Sequence, residues 1–360
     1  MRRASTARRE SAPRRDEIFA ILHEARVRGA TDVHLVSGSP IIARIDGALV
    51  PLEETARDAG AIAQLITSLL TDAEVRDLES QRSVDVLRVD AAGRRHRVNV
   101  AYTREERGAV IRLLPSAPLP LESLRMPPVV EELATREKGL ILVTGSTSMG
   151  KTTTMSSMVD RINRTERRHI ITIEDPIEYV HENLQSLVRQ REVGRDVLTF
   201  ADGLRAALRQ DPDVILIGEM RDYETIEIAL RAAESGVLVI STLHILTVER
   251  LVDRLVSFCP PGRELMVRTM LGETLVGVIH QELLPSLDGG KRVACEILVA
   301  TRAVRHLLRS GSELQLRNAL QTGASLGMLE MSSSLADLVA EGAIDEALAA
   351  RVLRSYQAVS

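Results

Sequence analysis

The chain has 360 residues, 44% hydrophobic and 27% charged, with a formal net charge of −4, which is globular composition and length enough for two domains with separate cores. No apolar run reaches the roughly 18 residues of a membrane span, aromatic content is 2% without Trp, and Cys259 and Cys295 are the only cysteines. These features exclude an integral membrane span and a disulfide or four-cysteine zinc framework and leave base-stacking platforms for nucleic acid scarce, and we expect a soluble protein of a reducing cytoplasm.

Residues 1–15 carry six arginines, Arg2, Arg3, Arg8, Arg9, Arg14 and Arg15, with almost nothing apolar to bury, and read as a disordered basic tail, with a contact arm for an anionic surface as the alternative. Residues 16–114 read as a small α+β domain. Ile18, Phe19, Ile21, Leu22 and Ala25 recur at helical spacing until Gly29 ends the pattern. Extended pieces follow at Asp32 to Leu35 and Ile41 to Ile45, with Asp46-Gly47 as a turn signal. A helix around Ala61 to Leu70 and alternating segments near Arg95 to Tyr102 and Ala109 to Leu114 complete the unit. Pro115, Pro118 and Pro120 can continue neither a helix nor a central strand, so 115–125 reads as a linker.

In residues 126–355, short apolar runs at Gly139 to Thr144, His169 to Ile173, Val214 to Ile217 and Val237 to Ser241 alternate with helical stretches such as Thr199 to Arg209 and Tyr223 to Ala233. That alternation predicts a parallel, doubly wound α/β sheet. Beyond about Pro260 the spacing turns mostly helical, in Leu265 to Ile279 and again in Leu335 to Leu353, predicting a helical C-terminal part packed on the core.

The chemistry centres on Gly145, Ser146, Thr147, Ser148, Met149, Gly150, Lys151 and Thr152, which match Gly-x-x-x-x-Gly-Lys-Ser/Thr between a buried strand and a helix-forming run. Glycines let backbone N–H groups curl around phosphates, and the helix N-terminus adds its positive dipole end. Lys151 is suited to reach the β and γ phosphates, and the Thr152 hydroxyl to ligate Mg²⁺. With Thr153, these are the nucleotide-binding residues. Glu219 follows the run Val214 to Ile217, at the carboxyl end of a parallel strand where ligands of such sheets bind, and is placed to act on the metal. Glu174, Asp175 and Glu178 form a second acidic cluster, where one carboxylate could activate water. His244 ends another strand, either as a γ-phosphate sensor or as a structural hydrogen-bonder. Arg95, Arg97 and Arg112 lie on strand-like segments of the first domain, as a solvated face or as fingers for a nucleotide site.

The order of motifs resembles the type IV pilus retraction ATPases within the secretion ATPase superfamily, from about Asp16 to about Leu353. The resemblance rests on Thr31-Asp32-Val33-His34-Leu35, Arg44-Ile45-Asp46-Gly47 and Arg95-His96-Arg97-Val98-Asn99. It continues through the P-loop, the run from Thr172 to His181 and the run from Asp211 to Asp222. It implies a PAS-like first domain, a RecA-like second domain, and a ring of six subunits using ATP and Mg²⁺, in association with an inner-membrane platform protein at the cytoplasmic face. It implies roles too: Glu178 as catalytic base, Glu219 at the metal, and the three arginines as interdomain or intersubunit fingers. The missing four-cysteine module, with Ala303 to Arg309 and Gln321 to Met328, favours the retraction branch over the extension and type II secretion branch.

Three places depart from the family's pattern. Ser146 and Ser148 stand where Pro and Gly are usual in the P-loop, Val237 stands for a histidine, and Ile245-Leu246-Thr247-Val248 replaces a small polar run. These predict slower hydrolysis and keep open a second reading, a low-activity accessory paralogue sharing a ring with a more active ATPase.

Overall fold

The computed structural model describes residues 3–45, 47–115, 117–312 and 315–358, with backbone alone for 3–13. The chain divides into two compact units, Met1–Ser116 and Ala117–Ser360.

The first unit begins with helix α1 (Arg3–Val27), followed by β1 (Ala30–Leu35), β2 (Ile42–Ile45), β3 (Ala48–Pro51), α2 (Ala59–Leu69), α3 (Asp72–Gln81), β4 (Ser83–Val89), β5 (Arg95–Thr103) and β6 (Glu106–Leu113). The strands form one antiparallel sheet in the order β3-β2-β1-β6-β5-β4. Its core joins Ile18 and Leu22 of α1 to Ile62, Leu65 and Ile66 of α2 and to Val33, Val98, Val100 and Ile111 of the strands. The helix differs from the expected disordered tail: its backbone continues through Arg3 to Arg15, a stretch in which Ala4, Ala7, Arg8, Arg9 and Glu10 are strong helix formers. Met1 and Arg2 lie outside the described residues, as does Asp46 of the expected turn; Gly47 beside it has φ 84°, a left-handed value that suits glycine. The sequence reading passed over α3, which starts with a capping box between Thr71 and Glu74.

The second unit holds α4 (Val129–Ala134), β7 (Gly139–Thr144), α5 (Lys151–Thr165), β8 (His169–Glu174), β9 (Leu187–Glu192), α6 (Phe200–Ala207), β10 (Val214–Ile217), α7 (Tyr223–Glu234) and β11 (Leu238–Leu243). It continues with α8 (Leu251–Val256), α9 (Glu264–Thr274), β12 (Leu275–Pro285), β13 (Lys291–Val299), α10 (Arg302–Ser310), α11 (Leu316–Thr322), α12 (Met331–Ala340) and α13 (Glu346–Gln357). The sheet order is β13-β12-β7-β11-β10-β8-β9. All its pairings are parallel except β12 with β13.

All six residues of β7 are buried, because both faces of the sheet are covered. Leu140 and Leu142 pack with Leu204 of α6, Ile226 and Leu230 of α7 and Leu271 of α9. Ile141 and Val143 face the other way, with Leu133 of α4 and Met155 and Val159 of α5. The period-two alternation of a strand thus divides one apolar run between two cores.

The C-terminal part, expected to be mostly helical, also contributes two strands to the sheet, β12 and β13. Helix α9 stops at Thr274, and Leu275 to Pro285 is a strand of the sheet; Val276, Val278 and Ile279 are β-branched and suit a pleated surface more than a helix. Gly277 lies so close to its neighbours that a Cβ there would sit 3.0 Å from both Leu133 and the Leu298 carbonyl. The run from Leu335 to Leu353 is two helices, α12 and α13, parted by Gly342 at φ 69°.

Ile66 is fully buried in the first unit's core. Ile66→Ala should lower unfolding free energy by about 2–5 kcal/mol, read by urea unfolding followed by circular dichroism.

Candidate nucleotide-binding site

The loop 145–150 leaves the carboxyl end of β7 and turns directly into α5. Gly145 and Gly150 have φ of 137° and 81°, backbone shapes that favour glycine. Ser148 has φ 66°, so a residue with a Cβ occupies the left-handed region where the family's usual glycine would be unstrained, at a cost of about 1–2 kcal/mol. The Lys151 ammonium is buried at 9% exposure and donates to the carbonyl oxygens of Gly145 at 2.8 Å and Ser146 at 2.7 Å. Those carbonyls hold the positive charge where phosphate oxygens would replace them. Burial pulls the Lys151 pKa below its ordinary value, and the negative charges of Glu219 and Glu282 oppose that shift.

Glu219 sits just past β10, within ion-pair reach of Arg221 and 3.7 Å from Nε2 of His244, at the end of β11. Arg221 in turn lies 4.0 Å from Asp175. Burial and the nearby Lys151 charge hold His244 below its usual pKa, against the pull of Glu219. The Thr242 hydroxyl donates to the Gly218 carbonyl at 2.7 Å, and the Met220 N–H donates to the Thr242 carbonyl at 3.2 Å. These two bonds fix the ends of β10 and β11 side by side.

Glu178 lies on the loop between β8 and β9, half-buried, and that loop is tied to α5 along its length. Tyr179 and Thr153 share a hydrogen bond between hydroxyls at 2.8 Å, His181 Nε2 meets the Ser156 hydroxyl at 3.1 Å, and Asn163 donates to the Glu182 carbonyl at 2.7 Å. On the other side the Ile177 N–H donates to Glu192 at 3.1 Å, and Gln190 donates to the Tyr179 carbonyl at 2.8 Å. Both neighbours of Glu178 are therefore anchored. Burial raises the Tyr179 pKa, and the charge of Glu178 adds to that rise. Glu174 has a different position from its cluster mates: it is buried and accepts from Thr172 at 2.6 Å and Gln190 at 3.1 Å, which makes it part of the scaffold.

Thr152 and Glu219 offer hydroxyl and carboxylate oxygens, the hard donors that suit Mg²⁺. Among the described residues no group of three or more His, Cys, Asp and Glu could hold a metal by itself.

The arginines Arg95, Arg97 and Arg112 are in the first unit. Arg97 pairs with Asp85 at 3.1 Å and Arg112 with Asp32 at 3.0 Å, so ion pairs within their own sheet account for these two contacts. Val237 immediately precedes β11, six residues before its carboxyl end, roughly 20 Å of strand away. It packs in the core instead, so the histidine's absence removes nothing from the phosphate end of this unit.

The sequence reading missed residues on β12, which it took for helix up to Ile279. His280 is paired in register with Thr144, and its Nδ1 lies 3.2 Å from the Thr144 hydroxyl. Gln281, also fully buried, donates to the Met149 carbonyl at 2.5 Å and accepts from the Thr154 hydroxyl at 2.9 Å. A strand reading of Leu275 to Pro285 would have put both residues beside the P-loop.

Burial depresses His181 and His280 to pKa values of about 4. Between pH 6.5 and 4 the unfolded chain takes up protons that the folded chain refuses, so stability present above that window is lost as pH falls through it. His280→Gln should shrink the difference in unfolding free energy between pH 7 and pH 5 by about 2 kcal/mol, measured by urea titration at both pH values.

The family described as type II/IV secretion system protein matches residues 7–349. The type IV pilus retraction ATPase PilT of Pseudomonas aeruginosa is 42% identical over 328 residues, 91% of this chain and 95% of its own length. The type IV pilus ATPase PilU of the same organism is 32% identical over 326 residues, 89% of this chain and 85% of its own. A crystal structure of the pilus retraction motor PilT with bound ADP aligns with TM-score 0.84 at 42% identity, covering 92% of this chain and 95% of that one.

Proposed function

The chain belongs to the type II/IV secretion system protein family, and from that premise we propose that it is an ATPase motor of the pilus-retraction type, working as a hexamer. The observation that carries this reading is the convergence of Lys151, Glu219 and His244 at the carboxyl ends of β7, β10 and β11. Lys151 exchanges the carbonyls of Gly145 and Ser146 for β and γ phosphate oxygens of ATP. Glu178, on its braced loop, takes a proton from the attacking water. His244, beside Glu219, meets the γ-phosphate. Thr152 and Glu219 would hold Mg²⁺, which when bound neutralises phosphate charge. Arg95, Arg97 and Arg112 are the candidate fingers, exchanging present partners such as Asp85 and Asp32 for a nucleotide.

The chain acts in the cytoplasm, peripheral to the inner face of the membrane through a platform protein, and turns hydrolysis into twitching motility. Among the described residues no helix is long and apolar enough to cross a membrane. The identity to PilT, higher than that to PilU, favours the motor. The strained Ser148 is the observation that favours the second reading, a slow accessory subunit in a mixed ring.

The test is Mg²⁺-dependent phosphate release by the purified chain, with particle mass recorded in the same samples. Lys151→Ala should abolish turnover, and Glu178→Gln should lower it by about 10²- to 10⁴-fold. Chelating the metal should stop it. Turnover untouched by Lys151→Ala overturns the reading, and nucleotide binding without turnover in the unaltered chain favours the accessory subunit.

A further inference from the structure

The P-loop of this chain is held from behind by one side chain. Gln281 is fully buried, so both ends of its amide need partners, and it finds them in the loop and in the helix after it. Its Nε2 donates to the Met149 carbonyl at 2.5 Å, and its Oε1 accepts from the Thr154 hydroxyl at 2.9 Å. Its backbone carbonyl lies against Gly145, where a Cβ would stand 2.5 Å from that oxygen, and its Nε2 would be 3.2 Å from a Cβ on Gly150. Two residues on, the Leu283 N–H points at the Met149 sulfur at 3.3 Å. The turn so gripped, Ser148-Met149-Gly150, is the part of the loop in which a serine is forced to φ 66°.

We propose that Gln281 is a positioning residue for nucleotide binding, which keeps the strained Ser148 turn in its open, phosphate-accepting form by holding the Met149 carbonyl and the Thr154 hydroxyl at once. The inference rests on the ATPase reading above and adds a residue to it. Without the amide, the turn relaxes toward conformations natural to serine, and the loop must be re-formed each time a nucleotide binds. Affinity falls by the fraction of loops in the competent state. The chemical step is spared, because bound nucleotide restores the same loop.

The experiment measures binding of a mant-labelled ADP to the full chain, and kcat and KM for ATP, in Gln281→Ala, Ser148→Gly and the double variant. Gln281→Ala should weaken mant-ADP binding on the order of tenfold and raise KM in step, with kcat within about threefold of the unaltered chain. Glycine adopts the left-handed turn without strain, so Ser148→Gly should raise affinity several-fold more in the Gln281→Ala background than in the unaltered one. A merely structural role for Gln281 would not produce that coupling. Equal effects of Ser148→Gly in both backgrounds, or unchanged affinity in Gln281→Ala, overturn the inference. Should Gln281→Ala not fold, Thr154→Val removes the hydroxyl at constant shape, and unchanged mant-ADP affinity there is equally fatal. Binding lost in Lys151→Ala but kept in Gln281→Ala sinks this inference alone; a wild-type chain that binds no ADP sinks the ATPase reading with it.

Discussion

The site depends on β7 being hydrogen-bonded as a parallel strand on both sides, to β11 and to β12. Parallel pairing brings carboxyl ends to one edge, so the P-loop, His244 and Gln281 meet there although His244 and Gln281 lie 93 and 130 residues beyond Lys151 in sequence. Helices packed on both sides of the sheet bury β7 on both faces, which fixes the starting point of the loop. From that fixed start, Lys151 can be buried and still find two carbonyl oxygens; without them, a buried ammonium would be strongly unfavourable.

A second constraint is the bracing of the acidic loop on α5. Tyr179, His181 and Glu182 each have a partner on one helix, at Thr153, Ser156 and Asn163. That helix starts with Lys151, so the loop carrying the residue proposed to handle water is braced on the element that carries the residue proposed to handle phosphate. Catalytic geometry tolerates little looseness, and bracing the loop that carries Glu178 against the helix that carries Lys151 is a direct way to limit it.

Much of this was legible in the sequence where signals were local. The P-loop stands out because its spacing, the strand before it and the helix after it all agree, and Glu219 and His244 follow from ends of apolar runs. The apolar residues of β7, β8, β10 and β11 were legible because two-sided burial leaves uninterrupted runs. Less local features were hidden. Leu275 to Ile279 has the apolar density of a buried helix, and only its β-branched residues hint at the strand it becomes. Arg189 and Arg191 break the apolar pattern of β9, which lies at the edge of the sheet. Gln281 is a lone polar residue in an apolar setting, and nothing in its sequence neighbourhood says that Met149 and Thr154 are its partners. Val237 was read as a departure at the site, yet its place at the amino end of β11 puts it in the core.

The account's central claim is that Glu178 serves chemistry while the P-loop serves binding. The most direct measurement is calorimetric ATP affinity of Glu178→Gln set against its single-turnover rate of phosphate release. The account predicts affinity within about threefold of the unaltered chain and a rate lower by at least about 10²-fold. Affinity and rate lost together, or a rate left unchanged, would contradict it.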